Sequence, residues 1–283
     1  MRRRADRFAT LLILLALGCG GGQARRGPVA ELDAGARSPD AAARVDAGED
    51  AGTAEPPALT AGADYLITVR TATWTDTEGV LTRWQREGEA WVRDGEDVPI
   101  VLGREGLGWG RGLHGEGAVA DLDGPEKREG DGRSPAGAFW LDHALGYAPE
   151  APDGTRIGYR EITPTLQCVE DVASAHYNRI VDRAIVAPDW EGDDLLRRDD
   201  GLYEFLVFVA QNTEPAPVAG RGSCILFHVW SAGRSPTAGC TSMARASLES
   251  IVRGLAPENN LLVQLPDPVY RALAADWDLP PVD

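Results

Sequence analysis

Two nearly continuous apolar runs decide the fold of this chain: YEFLVFVA at residues 203–210 and SCILFHVW at residues 223–230. Both are rich in β-branched and aromatic residues, which is typical of strands that are buried on both faces. Shorter runs of the same kind come earlier, separated by Gly and Asp turn residues. They are YLITVRTATW (65–74), GVLTRWQREG (79–88), EAWVRDG (89–95), VPIVLG (98–103) and AGAFWL (136–141). The sequence therefore predicts a mainly β domain with a few helices.

Helical periodicity is clear only after Cys240. The apolar residues there recur at i, i+4, i+7, i+8 and i+11, which places them on one face of a helix. They are Ala244, Leu248, Ile251, Val252 and Leu255. The pattern also predicts a shorter helix around 268–275 and a helix or loop near 170–183.

Composition excludes several classes of function. The chain has 28 basic and 44 acidic residues, a formal net charge of −16, whereas nucleic-acid binding requires clustered positive charge. Lys127 is the only lysine, so catalysis or cofactor attachment through a lysine has a single candidate. The chain contains no CxxC, HExxH or HxH motif, so neither a metal site nor a cofactor is predicted.

The first residues are read as an export signal. Four arginines in Met1–Arg7 precede the apolar run Phe8–Leu17, which has the length of a signal-peptide core. The run ends in LALGCG (15–20), which resembles a lipobox in which Cys19 is acylated; an ordinary secretory signal is the alternative. The next 43 residues lack aromatic side chains and cannot form a core. We therefore predict a lipoprotein signal peptide at 1–18, a disordered linker at 19–62 and a folded domain at 63–283.

A Cys–His pair stands in SCILFHVWSAGRSPTAGCTSM, residues 223–243. His228 lies at the end of the predicted strand, and Cys240 follows 12 residues later, after a loop of Gly, Ser and Pro. In thiol acyl transfer the thiolate attacks while an imidazole takes and later returns the proton, so these two residues form a minimal catalytic set. The alternative is a buried structural cysteine and a core histidine.

Three features of this segment favour an activated thiol. Cys240 stands just before the predicted helix, whose N-terminal dipole would stabilise a thiolate. Gly239 leaves room for a substrate carbonyl to approach backbone N–H groups that could form an oxyanion hole. Finally, no acidic residue occurs from Pro215 to Leu248, a stretch that contains Arg221, Arg234 and Arg245 and would suit an anionic substrate.

His228 together with Thr237-Ala238-Gly239-Cys240 resembles the signature of the L,D-transpeptidase catalytic domain (YkuD type), a His, a spacer and Ser/Thr-x-Gly-Cys. The segment KREGDGRSPAGAFWL (127–141) is similar to the Lys/Arg-x-Gly-Asp-x-x-Thr/Ser-Pro-x-Gly-x-Phe segment of that family. The stretches GLGWGRGLH, CVEDVASAHYN and PTAGCTSM are similar to exported members. The resemblance covers about residues 64–265 and implies a β-sandwich or barrel-like catalytic domain.

The resemblance implies chemistry on peptidoglycan stem peptides. Cys240 would attack the carbonyl of the third residue and expel the terminal D-Ala, and the amine of a second stem peptide would resolve the thioester as a 3→3 cross-link. His228 would be the general base, with the backbone N–H groups of Cys240 and its neighbours holding the oxyanion. Thr237 would fix the loop or bind substrate. Because the motif has no Asp or Glu, a backbone carbonyl is expected to orient His228.

The remaining candidates are substrate contacts and two cysteines. Many family members have an Arg two residues after the cysteine, where this chain has Ser242, so Arg111, Arg133 or Arg245 is expected to take that role. Trp230 and His114 are further candidates for substrate contact, with core or structural roles as the alternative. Cys168 and Cys224 either pair as a disulfide or stay as free thiols; Cys224 would share a strand face with His228, which favours free thiols.

Three functions follow from these residues. The first is the transpeptidase, the second an L,D-carboxypeptidase or amidase in which water resolves the same thioester, and the third a non-catalytic cell-wall-binding lipoprotein. The expected partners are peptidoglycan stem peptides and, through Cys19, a membrane. The expected location is the periplasmic side of the cell envelope, and the expected state is a monomer.

Overall fold

Every strand predicted from an apolar run is present in the computed structural model, which describes residues 58–119, 121–192 and 194–282. The predicted signal peptide with Cys19 and nearly all of the predicted linker lie outside these residues. In chain order the strands are β1 (Tyr65–Thr71), β2 (Glu78–Glu87), β3 (Ala90–Arg93), β4 (Val98–Val101), β5 (Leu107–Trp109), β6 (Arg111–Gly112), β7 (Gly115–Glu116), β8 (Ser134–Gly146), β9 (Gly158–Glu161), β10 (Leu166–Cys168), β11 (Ile180–Asp182), β12 (Phe205–Val209), β13 (Leu226–Val229), β14 (Thr241–Met243) and β15 (Asn260–Pro266). The helices are α1 (Arg245–Gly254) and α2 (Asp267–Leu273).

Eight of these strands close into a barrel, in the order β1-β15-β8-β12-β13-β14-β4-β2. The ring closes because β1 also pairs with β2. Most neighbours are antiparallel, but β1 pairs with β15, and β13 with β14, in parallel. The mainly β, barrel-like fold predicted from the sequence is confirmed.

Strand β12 separates two hydrophobic cores. Phe205, Val207 and Val209 pack into the main core, which also receives α1 and α2 side chains, whereas Leu206 and Phe208 pack into a second core. All five residues are buried, so the prediction of a strand buried on both faces is confirmed. Residues 145–206 contribute most of the apolar side chains of the second core.

The helical predictions agree with the structure to within a few residues. Leu248, Ile251 and Val252 form the buried face of α1, and the predicted helix around 268–275 is α2. The region near 170–183 is a series of turns that ends in β11. Packing begins slightly before the predicted boundary at residue 63, because Thr60 is buried and donates a hydrogen bond to Asp278.

In the part of the chain that the structure describes, neither helix has the length and apolar character that a membrane crossing requires. Within the same ranges, no group of three or more His, Cys, Asp or Glu side chains is arranged to hold a metal ion.

His114 has a structural role in the main core. Its Nδ1 accepts a hydrogen bond from the Ala138 N–H at 3.1 Å, and its Nε2 lies 3.2 Å from the Gly110 carbonyl oxygen. The two contacts together require the neutral tautomer with the proton on Nε2. The ring also packs near Trp109, Phe139 and Trp277. Burial lowers the pKa of His114 to about 4. The prediction that His114 contacts substrate is not supported by this environment.

We expect His114 to make the domain sensitive to acid. In the unfolded chain the imidazole takes up a proton below about pH 6.5, whereas the folded protein resists protonation until about pH 4. Acid therefore stabilises the unfolded state, and about 3 kcal/mol of stability contributed by this group should be lost as the pH falls through that window. Urea unfolding at pH 7 and pH 4.5 measures the loss. It should be smaller in His114→Gln, and equal losses in both proteins would contradict the expectation.

Candidate functional site

Strand pairing places His228 beside the chain segment that carries Cys240. In the parallel register of β13 and β14, His228 stands opposite Ser242, two residues after Cys240. His228 is 6% exposed and lies at a pocket of about 190 Å³. The pocket is lined by Arg198, Leu202, Tyr203, His228, Ser231, Ser235, Pro236, Thr237, Ala238 and Ser242. It therefore combines the ends of β13 and β14, the loop before Cys240, and the segment before β12.

His228 is oriented by a backbone carbonyl. Its Nδ1 lies 2.8 Å from the Val229 carbonyl oxygen, which can only accept, so Nδ1 carries the proton and Nε2 is the basic nitrogen. The ring packs against Tyr203, with 5.2 Å between ring centroids. Burial lowers the pKa of His228, and the nearby positive charge of Arg198 acts in the same direction. At neutral pH the imidazole is therefore uncharged and can accept a proton.

The thiol of Cys240 is held in the second core. Its Sγ lies 3.6 Å from the Cys224 carbonyl oxygen, and the Tyr203 hydroxyl is a further neighbour. Burial raises the pKa of Cys240 to about 12, although contacts with Tyr203 and the Leu226 backbone favour the thiolate. In the resting protein the thiol is therefore neutral.

The prediction of an activated thiolate is wrong for this resting state. Cys240 does not stand at a helix N-terminus: strand β14 follows it, and α1 begins at Arg245. The dipole of α1 falls off within its first turn and cannot offset the cost of charging a buried sulfur. The local sequence could not reveal this, because the apolar groups around the thiol come from other parts of the chain.

Two hydroxyl groups fix the loop that carries Cys240. The Thr237 Oγ1 donates to the Cys240 carbonyl at 2.6 Å and accepts from the Gly239 N–H at 3.1 Å. At the start of β8, the Ser134 Oγ donates to the same carbonyl at 3.1 Å and accepts from the Gly103 N–H at 2.9 Å. Thr237 thus has the loop-fixing role that was one of its two predicted roles, and it also faces the pocket.

Gly239 is required by the backbone at this point. Its φ is +155°, and a Cβ on it would lie 3.0 Å from the Arg133 carbonyl oxygen. Ser134 and Arg133 belong to the segment KREGDGRSPAGAFWL. This segment therefore packs against the loop that carries Cys240. The Cys240 N–H makes no hydrogen bond to another described residue.

None of the three arginines proposed to replace the motif Arg lines the pocket. Arg111 is buried and pairs with Glu116 at 2.9 Å. Arg133 donates to two main-chain carbonyl groups. Arg245 is held by the carboxylates of two glutamates, at 2.6 and 3.0 Å. The pocket geometry therefore does not support a role in substrate binding for these three arginines, and that role stays a prediction.

The stretch from Pro215 to Leu248 contains no acidic residue, but in the folded protein it contacts acidic residues from other parts of the chain. Arg221 pairs with Glu126 at 2.9 Å, from a distant part of the chain. Trp230 is half-buried with Arg234 stacked over its ring at 4.3 Å, and it does not line the pocket. The linear charge pattern therefore did not predict the charges of the site.

Sequence reasoning missed Arg198 and Tyr203. Arg198 lies over the Tyr203 ring at 5.0 Å, and Tyr203 contacts both His228 and Cys240. Tyr203 begins the apolar run that contains β12. Arg198 stands in the charged stretch RRDD (197–200), a pattern that indicates an exposed turn.

Cys168 and Cys224 form a disulfide with a Cα–Cα distance of 5.9 Å. The argument for free thiols fails because Cys224 precedes β13 and has a φ of +55°, so it does not follow the alternation of that strand. Asn178 stabilises this conformation: its Oδ1 accepts from the Cys224 N–H at 2.8 Å, and its Nδ2 donates to the Gln211 carbonyl. The bond joins β10 to the chain that leads into β13 beside the candidate site.

We expect the double variant Cys168→Ala/Cys224→Ala to lose about 2–4 kcal/mol of unfolding free energy, because the bond closes a loop with a sequence separation of 56. Urea unfolding with and without reductant measures this. Reductant should destabilise the wild-type protein by a similar amount and leave the variant unchanged. A wild-type midpoint that does not respond to reduction of the bond would contradict the expectation.

Comparison with known proteins gives only distant likenesses. No known protein family and no curated protein matches the chain. Among solved structures, the chain is similar to the helical cell shape determining protein Pgp2 from Campylobacter jejuni, with 14% identity over 71% of this chain and a TM-score of 0.36. A mutant of Pgp2 gives the same identity and coverage and a TM-score of 0.35. This chain spans slightly less than half of those chains, 46% and 47%. A likeness this distant bears on neither activity nor substrate.

Proposed function

We propose that the protein is a cysteine-dependent acyltransferase that acts on peptidoglycan stem peptides, an L,D-transpeptidase that forms 3→3 cross-links. The observation that carries the proposal is the arrangement of His228, Thr237 and the Cys240 loop around one pocket. His228, a neutral imidazole with a free Nε2, and Cys240, a neutral thiol, both contact Tyr203. Such a pair suits general-base catalysis, in which the proton moves as the sulfur attacks. The motif resemblance supplies the substrate class.

In the first half-reaction, Sγ of Cys240 attacks the carbonyl carbon of the third stem-peptide residue. His228 Nε2 takes the thiol proton, and the Cys240 N–H donates to the oxyanion of the tetrahedral intermediate. The C–N bond to the terminal D-Ala then breaks, and the imidazolium returns the proton to the leaving amine. The products are a thioester on Cys240 and free D-Ala.

In the second half-reaction, the thioester is resolved by a nucleophile. The side-chain amine of another stem peptide gives the cross-link, and water gives a tripeptide, which is the L,D-carboxypeptidase alternative. In both cases His228 accepts a proton from the nucleophile, and the thiol leaves with one. We further propose that the domain acts in the cell envelope, tethered by the linker and a lipid on Cys19.

Incubation with a disaccharide-tetrapeptide, with and without an acceptor stem peptide, tests the proposal by mass spectrometry. A cross-linked dimer in the presence of acceptor supports the transpeptidase, and a tripeptide in both reactions supports the carboxypeptidase. An unchanged substrate in both reactions would contradict acyl transfer on stem peptides.

Burial of the Cys240 thiol favours a second candidate, a tethered cell-wall-binding protein without catalytic activity. A thiol-directed carbapenem distinguishes the two, because acylation requires the same attack by Sγ and the same transfer of a proton to His228. An adduct on Cys240 that disappears in His228→Gln supports the enzyme. An unmodified protein that still binds peptidoglycan supports the binding protein.

A further inference from the structure

Among the described residues that line the pocket, Arg198 is the only charged side chain. The other polar groups of these residues are hydroxyls and the neutral His228, and none of them is a carboxylate. Such a lining combines one fixed positive group with several hydrogen-bonding groups. It is complementary to a small ligand that carries a carboxylate beside amide groups.

Arg198 is held in place in a way that leaves part of its guanidinium unused. Asp200 accepts from Nε at 3.0 Å and from Nη2 at 2.5 Å, and its own position is fixed by the Leu202 N–H at 3.1 Å. The Nη1 group has no hydrogen-bond partner among the described residues. A guanidinium has five N–H groups, so the edge formed by Nη1 and the second Nη2 hydrogen can still bind a carboxylate with two parallel hydrogen bonds.

Arg198 and the reacting groups share one neighbour, Tyr203. The guanidinium lies over the Tyr203 ring at 5.0 Å, and Tyr203 also contacts His228 and Cys240. Arg198 is 45% exposed, so a ligand can reach it from solvent without unfolding of the site. A carboxylate bound to Arg198 would lie near His228 and Cys240, because Tyr203 contacts all three residues.

We propose that Arg198 binds the C-terminal carboxylate of the donor peptide and thereby restricts the enzyme to the bond before a terminal residue. The inference rests on the proposed acyl transfer at Cys240, in which the leaving residue carries that carboxylate. Asp200 is a positioning residue that holds the guanidinium. Because the Arg198–Asp200 pair has no net charge, directional hydrogen bonds provide the selectivity and long-range attraction does not.

The experiment compares two donors, a disaccharide-tetrapeptide with a free C-terminal carboxylate and the same compound as a C-terminal carboxamide. The wild-type kcat/KM should be about 10- to 100-fold higher for the acid. In Arg198→Gln the acid should lose that advantage, so the ratio falls to about one, and Arg198→Lys should restore it partly. Arg197→Gln is the matched control: Arg197 stacks on Tyr147 outside the pocket, and this variant should keep the wild-type ratio.

An Arg198→Gln protein that still prefers the acid as strongly as wild type would overturn the inference while leaving the proposed function intact. If the wild-type protein turns over neither donor, the proposed function fails, and calorimetric binding of the acid and the carboxamide still decides the role of Arg198. Tighter binding of the acid that is lost in Arg198→Gln supports the subsite, and equal binding of both compounds overturns it.

Discussion

Replacing Cys240 by alanine or serine should reduce D-Ala release from a purified tetrapeptide muropeptide by roughly a thousand-fold or more, because the acyl-enzyme can no longer form. Mass-spectrometric quantification of released D-Ala measures this. Serine keeps the volume of the buried site, so an inactive but normally folded Cys240→Ser protein separates loss of the nucleophile from loss of the fold.

The partner of Cys240 gives a second measure in the same assay. His228→Gln removes the basic Nε2 and should cost nearly as much activity as loss of the thiol. Since the two residues act in one step, the double variant should be no less active than Cys240→Ala alone. Full activity in either Cys240 variant would show that the nucleophile is misassigned.

The thiol of the resting protein should react with iodoacetamide at pH 7 about a thousand-fold or more slowly than an ordinary exposed cysteine. A pKa of about 12 leaves far less thiolate at neutral pH than the usual value of about 8.5. The sign of the shift means that the rate should rise about tenfold with each pH unit between pH 7 and pH 11. Mass-spectrometric alkylation kinetics follow this directly, with the urea-unfolded protein as the reference that reacts at the ordinary rate.

Tyr203 provides a matched pair of variants for this measurement. Tyr203 lines the pocket and contacts Cys240, which is not among the lining residues. Tyr203→Ala should therefore admit water and speed alkylation, whereas Tyr203→Phe keeps the ring and should remain slow. Alkylation of the native wild-type protein at the ordinary rate at pH 7 would contradict the description of a buried, neutral thiol.

The sequence predicted those parts of the protein that depend on local pattern. The runs that became β12 and β13 were recognisable because burial on both faces makes them apolar throughout, and α1 because its buried residues recur with helical periodicity. The same holds for the loop before Cys240, where Thr237 and Gly239 are close to the cysteine that they support.

The electrostatic state of the site could not be predicted in this way. Whether Cys240 is charged depends on the apolar side chains of the second core. Arg245 is paired with the nearby Glu249 and also with Glu204, which is 41 positions earlier in the chain. Arg198 reaches the pocket from an exposed turn that has no motif around it. These properties arise from contacts between distant segments, which a single sequence does not display.

The position of β15 in the barrel has a consequence for how the protein reaches its native state. This strand lies between β1 and β8, and its parallel register with β1 joins Tyr65 to Asn260 across nearly the whole domain. The barrel cannot close until that late segment has emerged from the ribosome, so the earlier strands must wait with open edges. Long-range pairing of this kind also makes closure slow. Until β15 docks, β1 and β8 each keep an unpaired edge, which is where an incomplete chain is most prone to pair with another chain.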